Sequence, residues 1–182
     1  KRTLIALLVV AIAAAVANAA HAAALDAGAT VRDEPPTPCR VPGIEHEVQC
    51  GSVARALDPA RPDGTKISVR YVVVPAMARR KLPDPVFMLA GGPGQSAIAL
   101  APSAMPLFTR LNNLRDIVFV DQRGTGKSAA LECGDERALT IAEQADAERM
   151  YARLDRCREA LQKLPYGDMR FFTTTIAMAD LD

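Results

Sequence analysis

The sequence contains no tryptophan and only two histidines, and neither sign of charge is in excess. Lys and Arg number 22 against 21 Asp and Glu, so the net charge is +1. A protein dedicated to nucleic acid needs a basic surface for the phosphate backbone, and this balance therefore argues against that class. The remaining composition, 49% hydrophobic and 24% charged, is globular and excludes a disordered or fibrous chain.

Beyond its first residues, the sequence also has no apolar run long enough to cross a membrane. Lys1 and Arg2 precede an apolar run over residues 4–17, which is shorter than the roughly 20 residues that span a bilayer. Small residues of the A-x-A type follow, and Asn18 and His21 interrupt the end of the run. This order is typical of a secretory signal peptide, with an uncleaved membrane anchor as the alternative.

We therefore assign residues 1–24 to a signal peptide and expect no stable membrane association after its cleavage. The 182 residues correspond to one domain or to a piece of a larger one. The sequence starts at Lys1 rather than methionine and stops at Asp182 just where a helical pattern begins. We expect both ends to be trimmed.

Export determines how the four cysteines are interpreted. In an oxidising compartment an even number predicts disulfides. Of the three pairings, the local one is the simplest: Cys39 with Cys50, and Cys133 with Cys157. The rival is a metal site, but ligand spacings such as C-x-x-C are absent from the sequence. We predict two disulfides, no metal or other cofactor, and a secreted or periplasmic location.

The first part of the chain predicts a linker and a hairpin. Residues 25–38 are polar and carry three prolines, as linkers do. A strand is predicted over residues 51–57, and a second over residues 67–74, which are rich in β-branched side chains. The proline and glycine residues between them predict a turn, so the two strands should pair as a hairpin.

Two short continuous apolar runs follow, Val86 to Ala90 and Ile117 to Val120. Such runs suit strands of a sheet that is covered on both faces. Between them a helix is predicted over residues 104–114, with Ser103 as its N-cap and Pro106 in its first turn. Strand, helix and strand form the βαβ unit of a parallel sheet, so the predicted fold class is α/β.

Two further helices are predicted near the end of the sequence. Residues 173–182 form the start of one, capped by a threonine, with Asp180 and Asp182 near its N-terminal end. The other ends before Pro165 and has an apolar stripe with a helical period, which we expect to pack in the core: Met150, Leu154, Cys157, Leu161 and Leu164.

The motif Gly91-Gly92-Pro93-Gly94-Gln95-Ser96 follows the first apolar strand directly. Glycines at the carboxyl end of a parallel strand let the backbone approach a ligand closely and direct its N–H groups at it. Such a turn can stabilise a developing oxyanion. The composition is equally compatible with a tight turn that only joins a strand to a helix.

A second motif, Asp121-Gln122-Arg123-Gly124-Thr125-Gly126-Lys127-Ser128, follows the second strand. Its end resembles a phosphate-binding loop, but that loop needs glycine where this sequence has Asp121. We instead expect Asp121, Gln122 and Arg123 to form a polar network that fixes the loop at the edge of the sheet. Arg123 would pair with Asp121 or with a neighbouring carboxylate.

The sequence contains no complete nucleophilic site. Residues 94–98 form a G-x-S-x-G motif without its last glycine, and the strained turn of a nucleophile elbow needs small residues on both sides. Ser96 is therefore not expected to be a nucleophile. No histidine follows His46, so a Ser…Asp…His order cannot be assembled, and His46 itself is expected to be exposed.

In their order and spacing, the two glycine motifs resemble the proline iminopeptidase and tripeptidyl aminopeptidase branch of the α/β-hydrolases. The segment Cys50-Gly51-Ser52-Val53, with Leu57-Asp58-Pro59 and Arg61-Pro62-Asp63-Gly64 after it, is similar to the initial hairpin of the secreted members. The resemblance covers residues 39–182.

The resemblance implies an α/β-hydrolase fold, here an initial β-hairpin and a parallel βαβ unit, truncated before the nucleophile elbow. The reaction would be hydrolysis by a Ser-Asp-His triad through an acyl-enzyme, releasing residues from peptide N-termini. Gly92, with Gly91 as its neighbour, would supply an oxyanion-hole N–H. Residues 121–124 would form a structural loop.

Two departures from the family's pattern affect this interpretation. The family often has histidine before the first glycine, where this chain has Ala90, so a side chain that helps to order the loop is absent. The triad residues would all lie beyond Asp182, and we therefore predict that this chain alone is inactive.

The sequence thus predicts the N-terminal part of an exported serine hydrolase, an aminopeptidase that acts on peptides. One alternative is an exported esterase of the same fold that acts on small esters, because fold does not determine substrate. The other is a non-enzymatic exported binding domain in which both glycine motifs are only turns. The oligomeric state is not predicted.

Overall fold

The computed structural model describes residues 31–92, 94–133 and 139–182, with the backbone alone for residue 144. The predicted signal peptide and residues 25–30 of the predicted linker lie outside these residues. All the elements below belong to the unit Arg32–Asp182.

The described strands form one mixed sheet. They are β1 (Glu34–Cys39), β2 (Val48–Ala56), β3 (Lys66–Val74), β4 (Val86–Met88) and β5 (Ile117–Val120). Their order across the sheet is β1-β2-β3-β5-β4. β2 is antiparallel to both β1 and β3, β3 is antiparallel to β5, and β5 is parallel to β4. The predicted hairpin, the βαβ unit and the α/β class are therefore confirmed.

The described helices are α1 (Ala97–Asn112), α2 (Ile141–Ala145), α3 (Ala147–Leu161) and α4 (Thr174–Ala179), with a 3-10 helix over Met169–Phe171. The predicted threonine cap of α4 is Thr173, whose side chain accepts a hydrogen bond from the Ile176 N–H. The expected place of two aspartates in this helix was wrong. Asp180 is its C-cap and Asp182 lies beyond it, so neither is near the N-terminal end.

The core lies on both faces of the sheet. On one face α1 packs through its alanines against alternate residues of β3 and β5: Val72, Val74, Ile117 and Phe119. On the other face, the intervening residues of β3 and β5 pack against aromatic residues that follow α3. The strand residues are Ile67, Val69, Val118 and Val120, and the aromatic residues are Tyr166, Phe171 and Phe172. All four residues of β5 are buried because β5 lies between β3 and β4.

The end of the predicted linker is strand rather than linker. Residues 34–38 form most of β1, which pairs with β2 at one edge of the sheet. Proline is compatible with this position, because an edge strand needs no N–H donor on its outer side. Composition alone therefore predicted a linker where an edge strand forms.

The crossover helix begins earlier than predicted. α1 starts at Ala97, its N-cap is Ser96, and Pro102 and Pro106 lie inside it. The exposed Ser103 is a helical residue whose hydroxyl donates to the Leu100 carbonyl at 2.9 Å. Interior prolines remove helix hydrogen bonds, but burial of the alanine face of α1 against the sheet outweighs that loss.

Two predicted core surfaces are only partly buried. In α3 the side chains of Met150 and Leu154 are 37% and 53% exposed, and only Leu161 of the stripe is buried. Phe87 of β4 is 53% exposed because β4 is the other edge of the sheet. A helical or apolar pattern identifies residues that share a face but does not show what covers that face.

Candidate functional site

The loop between β4 and α1 carries the first glycine motif. Gly92 and Gly94 have φ angles of +100° and +87°, which L side chains rarely adopt. Gly91 and Gly92 are exposed, and a Cβ at Gly91 would have no atom within 4 Å. Among the described residues, none accepts a hydrogen bond from the N–H of Gly91 or Gly92. Two backbone donors without an acceptor in the described part of the chain therefore lie beyond the carboxyl end of a parallel strand.

Ser96 fixes the far end of this loop. Its Oγ accepts a hydrogen bond from the Ala99 N–H at 2.9 Å and donates one to Asp121 Oδ1 at 2.7 Å. An N-cap serine satisfies one of the free N–H groups in the first turn of a helix. The hydroxyl proton is thus directed at Asp121, and Ser96 has a structural role.

Asp121 follows β5 directly and is only 2% exposed. Its Oδ1 accepts hydrogen bonds from Ser96 and from the Ile98 N–H, the latter at 3.1 Å. Its Oδ2 lies 3.4 Å from the Lys127 N–H. The carboxylate therefore lies at the N-terminus of α1, where the helix dipole favours a negative charge. No salt bridge to it occurs within the described part of the chain.

Gly126 lies directly against this carboxylate. Its φ is +53°, and a Cβ there would be 1.9 Å from Asp121 Oδ2 and 2.9 Å from Ser96 Oγ. No Cβ can approach an oxygen that closely, so only glycine fits. Ser96, Asp121 and Gly126 thus form one contact between the two glycine motifs.

The second motif forms a closed turn. The Gly124 N–H donates to the Ser128 carbonyl at 2.7 Å, and the Thr125 N–H donates to the Gln122 carbonyl at 3.0 Å. The buried Ser128 hydroxyl accepts from the Arg70 N–H of β3. The next described helix starts only at Ile141, so no helix N-terminus follows this turn as a phosphate-binding loop requires.

Arg123 is buried, and all five of its N–H groups are hydrogen-bonded. Nε and Nη2 donate to the two oxygens of Asp180 at 2.7 Å and 2.6 Å. Nη1 and Nη2 also donate to the carbonyls at one end of β2 and in the 3-10 helix: Ala56, Leu57 and Phe171. Arg123 therefore joins three segments of the chain.

The expected single network is in fact two. Asp121 is directed at α1 on one face of the sheet, whereas Arg123 is directed at α4 and the β2–β3 turn, which pack on the other face. Arg123 pairs with Asp180, a neighbouring carboxylate, and not with Asp121. Gln122 contributes its carbonyl, to the Thr125 N–H and hydroxyl, instead of its side chain.

Asp180 is the residue of this region whose role the sequence did not reveal. It is 5% exposed and lies 57 positions from Arg123 along the chain. The sequence signal around it was local, a threonine-capped helix, and pointed to the wrong end of that helix. A contact over such a separation has no periodic or spacing signal in one sequence.

Both predicted disulfides are present. Cys39 is bonded to Cys50 and Cys133 to Cys157, with Cα–Cα distances of 5.8 Å and 5.3 Å. The first joins the ends of β1 and β2 beside the core under α1, and the second joins α3 to the chain before α2. Two disulfides are consistent with a secreted protein.

An apolar groove of about 280 Å³ lies on the sheet face opposite α1. Alternate residues of β2, β3 and β5 form its floor, and Phe87 and Leu181 border it. Tyr71 is part of its lining, and burial, with a smaller contribution from the charge of Asp33, raises the pKa of its phenol. Its polar lining residues are Arg55, Tyr71 and Asp180.

A more polar groove of about 370 Å³ lies beside the β2–β3 turn. Hydrogen bonding to Arg61 lowers the pKa of the Asp58 carboxyl, and hydrogen bonding to Arg170 does the same for Asp168. Each carboxylate thus has its own arginine beside it. These charges are matched within the protein and form no separate binding site.

His46 is exposed, as expected. The described residues include no cluster of three or more His, Cys, Asp or Glu side chains that could hold a metal ion. None of the helices in the described part of the chain has the length and hydropathy of a membrane span.

The glycine loop with its two free donors, anchored by Ser96 and Asp121, is thus the strongest candidate site in the described residues. No protein-family model matches this chain, and a comparison with curated proteins finds no significant match.

Proposed function

We propose that the chain is the N-terminal part of an exported serine hydrolase of the α/β-hydrolase type, an aminopeptidase that releases residues from peptide N-termini. The observation that carries this proposal is the exposed loop after a parallel strand in which the N–H groups of Gly91 and Gly92 have no acceptor among the described residues. In α/β-hydrolases one oxyanion-hole donor comes from such a strand-to-helix loop.

The order of the hairpin and the βαβ unit along the chain supports the proposal. The resemblance implies an initial hairpin followed by a parallel βαβ unit, and β2–β3 and β4–α1–β5 have that order. The glycine loop lies between β4 and α1, where the proposed chemistry needs it.

In the proposed reaction a serine attacks the peptide carbonyl, a histidine takes the serine proton, and an acid orients the histidine. These three groups would come from chain beyond Asp182. Here Gly92, with Gly91 beside it, would donate backbone N–H groups to the oxygen that becomes negatively charged. Residues 121–124 would hold the neighbouring turn. No cofactor takes part.

Two disulfides support a secreted or periplasmic location. The substrate class, peptide amides rather than small esters, rests on the resemblance alone. The test must therefore distinguish a peptidase from an esterase. It must also distinguish an enzyme from a non-enzymatic binding domain.

The test is covalent labelling of the protein expressed from the complete reading frame. A fluorophosphonate probe should label one serine, and mass spectrometry should place it in a G-x-S-x-G motif beyond Asp182. The labelled enzyme should lose hydrolysis of aminoacyl or tripeptidyl anilides. The chain ending at Asp182 should not react with the probe.

The control variant is Ser103→Ala, which removes an exposed helical hydroxyl and should leave labelling unchanged. Faster hydrolysis of p-nitrophenyl esters than of the anilides would favour the esterase. The absence of any labelled serine would overturn the catalytic proposal and favour the binding domain.

A further inference from the structure

The glycine loop is held at both of its ends by β5 and the residue after it. At one end Met88 of β4 pairs in register with Phe119 of β5. At the other end Ser96 donates to the carboxylate of Asp121, which directly follows β5. The loop between these two anchors therefore has a fixed span.

Asp121 has the features of a rigid anchor. It is almost completely buried, and its oxygens accept from Ser96, Ile98 and Lys127. Buried polar groups with satisfied hydrogen bonds are held in one geometry, because any displacement leaves a buried charge without partners. Gly126 closes the remaining side, where even one Cβ would overlap the carboxylate.

We propose that Asp121 is a positioning residue, which acts through Ser96 to aim the N–H groups of Gly91 and Gly92 at the developing oxyanion. This inference rests on the proposed function. Oxyanion donors act only if they are fixed at the position where charge develops, so the anchor of the loop contributes to catalysis in addition to the donors.

The alternative hypothesis is that Asp121 and Ser96 only cap the N-terminus of α1. A positioning role and a capping role both predict some loss of stability when the contact between Ser96 and Asp121 is removed. They differ in the kinetics, because an anchor for the oxyanion donors affects the transition state and leaves the binding of the ground-state substrate unchanged. The kcat and KM values therefore distinguish them.

The experiment uses the enzyme from the complete reading frame, well below its unfolding temperature. Ser96→Ala should lower kcat for an anilide substrate by roughly tenfold or more and leave KM unchanged. This loss should be smaller than the roughly 100- to 1,000-fold fall in kcat that follows removal of one whole oxyanion-hole donor. Asp121→Asn should lower kcat less than Ser96→Ala, because its remaining oxygen still accepts from Ser96 and Ile98 while its amide group faces the Lys127 N–H with another donor. Ser96→Thr keeps the hydroxyl and should restore most of the kcat.

Hydrogen exchange gives a second measurement that does not depend on activity. The Ala99 N–H loses its acceptor in Ser96→Ala and should exchange faster. The Ile98 N–H should also exchange faster, because the Asp121 carboxylate that accepts from it is no longer held by Ser96. Ser103→Ala, on the exposed side of the same helix, should change neither exchange at these positions nor kcat.

The outcomes separate this inference from the proposed function. An active wild type whose kcat is unchanged in Ser96→Ala and Asp121→Asn would overturn the positioning role and leave the proposed function intact. An inactive wild type would overturn the proposed function and the positioning role with it, while faster exchange in Ser96→Ala would still establish the anchor. A lower kcat with rescue by threonine would support both.

Discussion

The molecule buries two aspartates in two different ways. Asp180 is matched by the guanidinium of Arg123, its partner 57 positions away. Asp121 has no cationic partner among the described residues and is held by a hydroxyl and two backbone N–H groups. The first arrangement joins distant segments, whereas the second fixes two neighbouring loops. We infer that Asp180 mainly determines global stability and that Asp121 mainly determines local geometry.

The largest expected effect comes from removing Arg123. Arg123→Ala leaves Asp180 as a buried carboxylate without its counter-ion and removes the bonds to three carbonyls, which should lower the free energy of unfolding by about 3–5 kcal/mol. Urea unfolding followed by circular dichroism measures the change. The control is Arg158→Ala, whose ion pair with Asp155 is exposed and should contribute about 0–1 kcal/mol.

Equal losses in the two arginine variants would contradict the assignment of Arg123 as the link between segments. The double variant Arg123→Met with Asp180→Leu gives a further check. Because it buries no unpaired charge, it should be less destabilised than Arg123→Ala.

The next effect concerns the space beside Asp121. Gly126→Ala and Gly94→Ala both place a side chain at positive φ, which costs about 1–2 kcal/mol. Only at Gly126 does the new Cβ also overlap the carboxylate of Asp121, while at Gly94 no atom lies within 4 Å. Gly126→Ala should therefore lose about 1–3 kcal/mol more, as overpacked sites do.

The same urea experiment compares these two glycine variants. If they were equally stable, the contact between Gly126 and Asp121 would not be a constraint, and the interlock of the two glycine motifs would be disproved.

The smallest expected effect involves Asp116, a carboxylate near the surface. Partial burial pushes the pKa of its carboxyl up, but the Lys81 ammonium and the Ala76 N–H outweigh this, so the pKa lies below its ordinary value of 3.8. A lowered pKa in the folded state stabilises the protein above the ordinary value, and this contribution is lost as the pH falls through the lowered one.

Asp116→Asn should therefore flatten the fall in stability below about pH 4, as measured by urea midpoints at several pH values. Asp63→Asn is the control, because Asp63 is exposed and has no hydrogen bond to another described residue. A slope that is equally steep in Asp116→Asn and in the wild type would contradict the role of this carboxyl.

Local signals predicted much of this fold. The hairpin, the βαβ unit, the cap at Thr173 and the pairing of neighbouring cysteines all depend on residues close together in the chain. Patterns of this length are visible in one sequence. The assignment of an oxyanion-hole N–H to Gly92, with Gly91 as its neighbour, came from the resemblance to α/β-hydrolases and remains a prediction.

The errors arose where tertiary contacts outweigh local preference. The sequence pattern predicted Ser103 as the N-cap of α1 and Pro106 in its first turn, but the helix starts earlier. Its N-cap is Ser96, and its first turn also donates a hydrogen bond to a carboxylate from another loop. The prolines of β1 indicated a linker because nothing local shows that the segment lies at a sheet edge. Asp180 had no local signal at all.

The pairing of the disulfides has a consequence for biosynthesis. Each cysteine is bonded to the next one along the chain, over separations of 11 and 24 residues. During synthesis from the N-terminus, Cys39 therefore meets Cys50 before Cys133 has been made. For these four cysteines, an oxidant that joins thiols in the order in which they emerge produces the native pairs without any exchange of wrong ones.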